Sequence, residues 1–101
     1  VTSYIALIRK DTDSDFGVEF PDFPGCVSAG ATFEEARRMA QEALELHVHG
    51  MREDGDELPS PSSLDAIIAG PGNTDAEAFF FVRLTEGAER GVSAEPKRRR
   101  R

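Results

Sequence analysis

The chain has a single cysteine, Cys26, and no tryptophan. One cysteine excludes an internal disulfide framework and fits a reducing cytosol, so a cytoplasmic protein is expected. No apolar run approaches the roughly 18 residues of a membrane span. No charged segment followed by an apolar stretch marks a signal peptide. G-x-S-x-G, Walker-type and dinucleotide-binding patterns are missing, which removes the common signatures of hydrolase and nucleotide chemistry. Basic residues are scarce over most of the length: residues 1–94 carry seven against eighteen acidic ones, whereas 95–101 carry five basic and one acidic. An acidic body does not suit a phosphate backbone, whose affinity comes from Lys and Arg contacts. It suits a basic protein partner, through complementary potentials, and it serves equally to keep a small protein in solution.

With 101 residues, 39% of them hydrophobic and seven Phe, the chain fits one folded domain with a modest core. Tyr4 to Ile8 reads as an apolar, partly β-branched strand. Asp11 to Asp15 is built of turn-forming residues. Phe16, Val18 and Phe20 then alternate with Gly17, Glu19 and Pro21, the period of a half-buried strand. The two strands around a polar loop predict a hairpin. After a Pro24-Gly25 turn, Cys26 to Ala29 forms a short third strand.

Thr32 and Glu35 have the T-x-x-E spacing of a capping box and open a helix. Ala36, Ala40, Ala43, Leu44 and Met51 fall on one stripe at helical spacing, and the small alanines allow close approach to a sheet. The helix is expected to stop near Glu53, ahead of Gly55. Residues 54–77 form a connection rich in Pro and Gly, in which Ser62 or Ser63 caps a short helix running through Ile68. Ala78 to Leu84 is a fourth strand. The expected order is β-β-β-α-β, a three-stranded antiparallel meander followed by a helical crossover that places the helix on one face of the sheet. The domain thus occupies 1–84, and 85–101 reads as a disordered basic tail with no recognisable DNA-binding domain.

One helix cannot cover both faces of this sheet. Ile5 and Leu7 on the first strand, with Phe79 and Phe81 on the last, lie opposite the helix-facing set. An exposed patch of that size is unusual on a stable monomer. These four residues therefore predict an oligomer or partner interface, the alternative being that the short helix around Leu64 to Ile68 covers part of them.

No constellation supports catalysis. Asp11, Asp13 and Asp15 have the spacing that opens a calcium loop, but the sixth and twelfth positions are Phe16 and Asp22 instead of Gly and Glu. A two-metal nuclease needs carboxylates converging from core strands, and the acids here lie mostly in turns. His47 and His49 are two apart on the helix and point to different sides, so they do not form a chelating pair. Cys26 has no activating base in sequence and reads as a small apolar packing residue. No metal or cofactor is expected. Lys97, Arg98, Arg99, Arg100 and Arg101 offer weak, salt-sensitive contact with nucleic acid, or an address signal, or simply a solvated end.

Residues 4 to about 63 resemble the HicB family of bacterial antitoxins. The resemblance is carried by Tyr4-Ile-Ala-Leu-Ile8, Asp13-Ser-Asp-Phe-Gly-Val-Glu-Phe-Pro-Asp-Phe-Pro-Gly-Cys26, Gly30-Ala-Thr-Phe-Glu-Glu-Ala36, Glu42-Ala-Leu44 and Asp54-Gly-Asp-Glu-Leu-Pro-Ser-Pro61. It implies an α+β, partial ribonuclease-H-like fold without nuclease activity. It also implies a partner, a small basic HicA toxin with a double-stranded-RNA-binding-like fold that cleaves mRNA using a histidine. Members usually continue into a ribbon-helix-helix or helix-turn-helix segment that binds promoter DNA, and the residues after Leu84 show no such pattern. The expectation is therefore a non-catalytic antitoxin that binds and occludes a HicA-like toxin, through Asp11, Asp13, Asp15, Glu19 and Asp22. The alternatives are a stand-alone oligomeric ligand-binding or scaffold domain, and a weak nucleic-acid binder acting through the tail.

Overall fold

The computed structural model describes residues 2–10 and 12–84. Four strands, β1 (Thr2–Lys10), β2 (Phe16–Glu19), β3 (Val27–Gly30) and β4 (Ala78–Leu84), form one antiparallel sheet in the order β3-β2-β1-β4. A long helix, α1 (Phe33–Glu53), follows β3, and a short one, α2 (Leu64–Ala69), precedes a single 3₁₀ turn (Asn73–Asp75) and β4. The expected α+β order is the observed one. β4 lies antiparallel to β1, with Ile5 opposite Phe81 and Leu7 opposite Phe79. The handedness rule for parallel crossovers therefore does not govern this connection.

The run Phe20 to Cys26 joins β2 to β3 through two consecutive turns. Phe23 N–H donates to Phe20 O at 2.9 Å across Pro21-Asp22, and Cys26 N–H donates to Phe23 O at 2.9 Å across Pro24-Gly25. Proline presets φ at the second position of each turn, and the second turn needs a left-handed third residue, supplied by Gly25 at φ +90°. The hydrogen bond from Phe20 N–H to Cys26 O (3.2 Å) closes the loop.

Thr32 caps α1 by accepting from Glu35 N–H at 3.0 Å, while the Glu35 carboxylate accepts from Ala31 N–H at 2.7 Å, one residue before the cap. The helix ends in a Schellman motif: Gly55, at φ +77°, donates to Arg52 O and Asp56 N–H to Met51 O. Between these ends Ala36, Ala40, Leu44 and Val48 are buried, and Ala43 and Met51 pack beside them. They meet Tyr4, Ala6, Ile8, Val18, Phe20, Phe23, Cys26, Val82 and Leu84 in the main core. At the β3–α1 junction the backbones nearly touch, since a Cβ on Gly30 would lie 2.4 Å from Ala36 N. Only glycine fits there.

The second face of the sheet is covered from within the chain at its centre. Ile67 of α2 packs on Ile5 and Leu7, with Ala76 and Phe79 at the margin. Ile5 and Leu7 are 2% and 0% exposed, so they are core residues and not part of a surface open to another molecule. Their expected place in an interface is corrected by α2, whose Ser63 cap (Ala66 N–H to Ser63 Oγ, 3.2 Å) and single inward isoleucine suffice to close the central strand. Phe79 remains half-buried and Phe81 is 65% exposed. Among the described residues no helix is long and apolar enough to cross a membrane.

Candidate partner-binding surfaces

The described acidic residues expected to act together lie in the β1–β2 turn, on β2 and in the loop that follows it. Asp11 lies outside the described residues. Asp13 and Asp15 are exposed in the turn between β1 and β2, where Lys10 Nζ donates to Ser14 O at 2.7 Å and sits over the Phe16 ring. Glu19 projects from the second face and accepts from Arg9 Nε at 3.2 Å. Both side chains of that pair are over a third exposed, so the attraction itself contributes little, about 0–1 kcal/mol. Its structural use is as a clamp, because the same guanidinium reaches Gly72 O (3.0 Å) and Asn73 Oδ1 (3.4 Å) and ties the connection before β4 to the sheet.

Asp22 is also engaged within the chain. Its carboxylate accepts from Ser62 N–H at 2.9 Å and from Ser62 Oγ at 2.6 Å. Together with the hydrogen bond from Tyr4 O–H to Pro59 O (2.6 Å), this pair holds the extended segment after α1 across the end of the main core. Of the expected acids, Asp13 and Asp15 are the described ones that stand open in solvent. Lys97, Arg98, Arg99, Arg100 and Arg101 lie outside the described residues.

Cys26 and the two histidines have packing partners. Burial pushes the Cys26 thiol up to about 11, and Sγ lies 3.7 Å from Ala43 O, so it is a protonated packing group at neutral pH. The His47 ring meets Phe23 edge-on at 5.7 Å, whereas His49 Nε2 lies 3.4 Å from Glu53 Oε2. Among the described residues no three His, Cys, Asp or Glu side chains are placed to hold a metal ion.

Sequence reasoning missed a surface on the other side of the molecule. Val27 and Leu46 are 65% and 73% exposed. They flank a shallow groove of about 200 Å³ between the β3 edge and α1, lined also by Gly25, Cys26, Ala43 and His47. The signal for it is Leu46, an apolar residue that falls outside the Ala36-Ala40-Leu44-Val48 stripe and so faces away from the core.

A family model described as the HicB-like antitoxin of bacterial toxin-antitoxin systems matches residues 4–87. Over 75 residues, 73% of this chain, the sequence is 36% identical to Antitoxin HicB 2 of Photorhabdus laumondii subsp. laumondii. The chain spans 54% of the length of that relative. It likewise spans 59% of a Haemophilus phage HP1 protein to which it is 42% identical. The crystal structure of the Burkholderia pseudomallei antitoxin HicB matches with a TM-score of 0.80 and 26% identity, covering 99% of this chain and 74% of that one. The HicA3 and HicB3 toxin-antitoxin complex contains a chain matched with a TM-score of 0.67 and 30% identity, covering 83% of this chain and 99% of that one. The β-β-β-α-β sheet with its capped helix, the double turn at Phe20 to Cys26 and the matched family model converge: this chain belongs to the HicB-like antitoxin family of bacterial toxin–antitoxin systems.

Proposed function

We propose that this chain is a non-catalytic antitoxin that binds a HicA-like, mRNA-cleaving toxin in the cytoplasm and silences it by occlusion. The observation that carries the reading is the match, at 30% identity over most of this chain, to a protein held in a toxin–antitoxin complex. Charge supports it: residues 1–94 are strongly acidic, and a toxin that binds RNA presents a basic surface. An acidic domain seated on such a surface excludes the RNA electrostatically and sterically. Asp13 and Asp15 remain open for contact, while Glu19 and Asp22 act mainly in holding the fold. The test is rescue in cells. Co-expression of this chain with the HicA-like protein encoded beside its gene restores growth, and absence of such a gene or of rescue contradicts the reading.

A second surface, at the opposite edge of the sheet, favours self-association. Phe81 stands 65% exposed beside half-buried Phe79 on β4, an outer strand. Apolar side chains on an open strand suit pairing with a second copy.

A further inference from the structure

We infer that two copies of this chain join β4 to β4 in antiparallel fashion about Phe80, so that each Phe79 lies opposite the partner's Phe81 and each Glu77 opposite the partner's Arg83. This assignment rests on the self-association reading above and gives it a strand, a direction and a register.

The backbone decides which groups are open. Ile8 O accepts from Glu77 N–H at 2.7 Å, so the Ile8 carbonyl points at β4. Opposed residues of an antiparallel pair exchange hydrogen bonds only at every second position, because peptide groups alternate in direction along a strand. Ala78, Phe80, Val82 and Leu84, the register partners of Ile8, Ala6, Tyr4 and Thr2, therefore bond inward to β1. The N–H and C=O groups of Phe79, Phe81 and Arg83 point outward. Gln41 agrees with this phase, since its Nε2 donates from α1 to Arg83 O at 2.6 Å. β4 pairs with β1 alone, and among the described residues nothing bonds the outward groups of Phe79 and Phe81. Such open groups are the template for a further strand.

Both ends of the open stretch are blocked, which fixes the register. At the start Glu77 and Ala78 face the single residue Ile8, a bulge that spends the Glu77 N–H within the sheet. At the end Gln41 occupies the Arg83 carbonyl. Pairing centred on Phe81 would need that carbonyl for the partner's Phe79. Pairing centred on Phe79 would need the Glu77 N–H for the partner's Phe81. A two-fold axis beside Phe80 needs neither: Phe79 and Phe81 of one copy exchange bonds with Phe81 and Phe79 of the other, as a self-complementary contact requires.

The side chains fit the same register. Phe79 and Phe81 share the second face of the sheet, the first half-buried and the second 65% exposed. Opposed aromatic side chains on antiparallel strands stabilise the pair, so Phe81 leaves solvent against the partner's Phe79. Charge selects a second copy as the occupant. Glu77 and Arg83 are exposed, and neither side chain has a partner among the described residues. Residues 1–94 hold eighteen acidic and seven basic residues, so two copies repel over most of their surface. Centred on Phe80, the strands instead set Glu77 against Arg83 at both ends of the contact. A parallel arrangement sets like charges together.

Sedimentation equilibrium measures the dimer dissociation constant of this chain, and residue-resolved amide hydrogen exchange reads the strand edge. The wild type is expected to dimerise, with exchange at the Phe79 and Phe81 amides slowed at least about tenfold between dilute and concentrated samples, and exchange at Val82, bonded to β1, changed less than about threefold. Glu77→Arg and Arg83→Glu are each expected to weaken the dimer about tenfold, because each turns both end pairs into like charges. The first makes the chain less acidic and the second more acidic, so net charge alone would move them in opposite directions. An equimolar mixture of the two variants is expected to regain wild-type affinity as a heterodimer, in which every end pair is again unlike. Thermal melts of both variants verify the fold. A wild type that stays monomeric at all concentrations overturns the self-association reading and this pairing with it. A dimer whose Phe79 and Phe81 amides exchange as fast as in the monomer leaves self-association standing and overturns the pairing through β4. Protected amides with no loss of affinity in the single variants, or loss without recovery in the mixture, overturn the register about Phe80.

Discussion

Ser62 donates both its backbone N–H and its hydroxyl to the carboxylate of Asp22, at 2.9 and 2.6 Å across forty residues of sequence. This relationship makes Asp22 a structural pin between the Phe20–Cys26 loop and the segment leading to α2. Asp22→Ala leaves the Ser62 donors without their acceptor and is expected to cost about 1–3 kcal/mol of stability. Chemical denaturation measures it as a lower midpoint at unchanged slope. Unaltered stability together with lost partner binding would make Asp22 a contact residue instead.

Gly30 is expected to tolerate no side chain. The Cβ of Gly30→Ala would meet the backbone of Ala36, whose nitrogen lies 2.4 Å from the ideal position, and backbone cannot swing aside as a flexible side chain does. Displacing α1 from β3 is expected to cost about 1–3 kcal/mol or more, the range of overpacking. A thermal melt of Gly30→Ala at the wild-type midpoint contradicts the close junction.

Cys26 gives the chain a pH response on the alkaline side. Burial raises the folded-state thiol to about 11 from an ordinary 9.0. A raised pKa means the fold favours the protonated form, so its contribution is complete below pH 9 and is lost progressively as pH rises towards 11. Stability of the wild type is expected to fall through that window more steeply than that of Cys26→Ala. Alkylation by iodoacetamide at pH 8 is expected to be slow until denaturant is added. Rapid labelling of the native protein contradicts both statements.

Phe81→Asp tests the β4 surface. The side chain is 65% exposed and outside both core clusters, so the variant is expected to melt like wild type while shifting to a smaller species in sedimentation velocity. A wild type that is monomeric at all concentrations tested contradicts self-association through this strand.

Most of the fold is legible in the sequence because its signals are local. Pro24 and Gly25 dictate the second turn, Thr32 and Glu35 the helix start, Gly55 its end, and Ala78 to Leu84 the last strand, whereas Pro21, read as part of the alternating strand, sits in a first turn. Val48 belongs to the buried helical stripe although the periodicity singled out its neighbours. What is not legible depends on long-range contacts. The cover that Ile67 gives to Ile5 and Leu7 requires the 54–77 connection to fold back, and that path is held by Asp22–Ser62 and by Arg9 reaching Gly72 and Asn73. Asp22 is engaged by Ser62 and Glu19 by Arg9, contacts that charge counting does not reveal. The β3–α1 groove is equally hidden in sequence, because the residues that line it come from two elements brought together only when the helix packs over the strand. Resemblance to antitoxins supplies the family.

The most direct test of the antitoxin account is an mRNA-cleavage assay with a purified HicA-like protein, titrated with this chain. The account predicts that cleavage falls in proportion to added chain and ceases at a fixed stoichiometric ratio, with the chain itself leaving the RNA intact. Undiminished cleavage at several-fold excess of folded chain would contradict it.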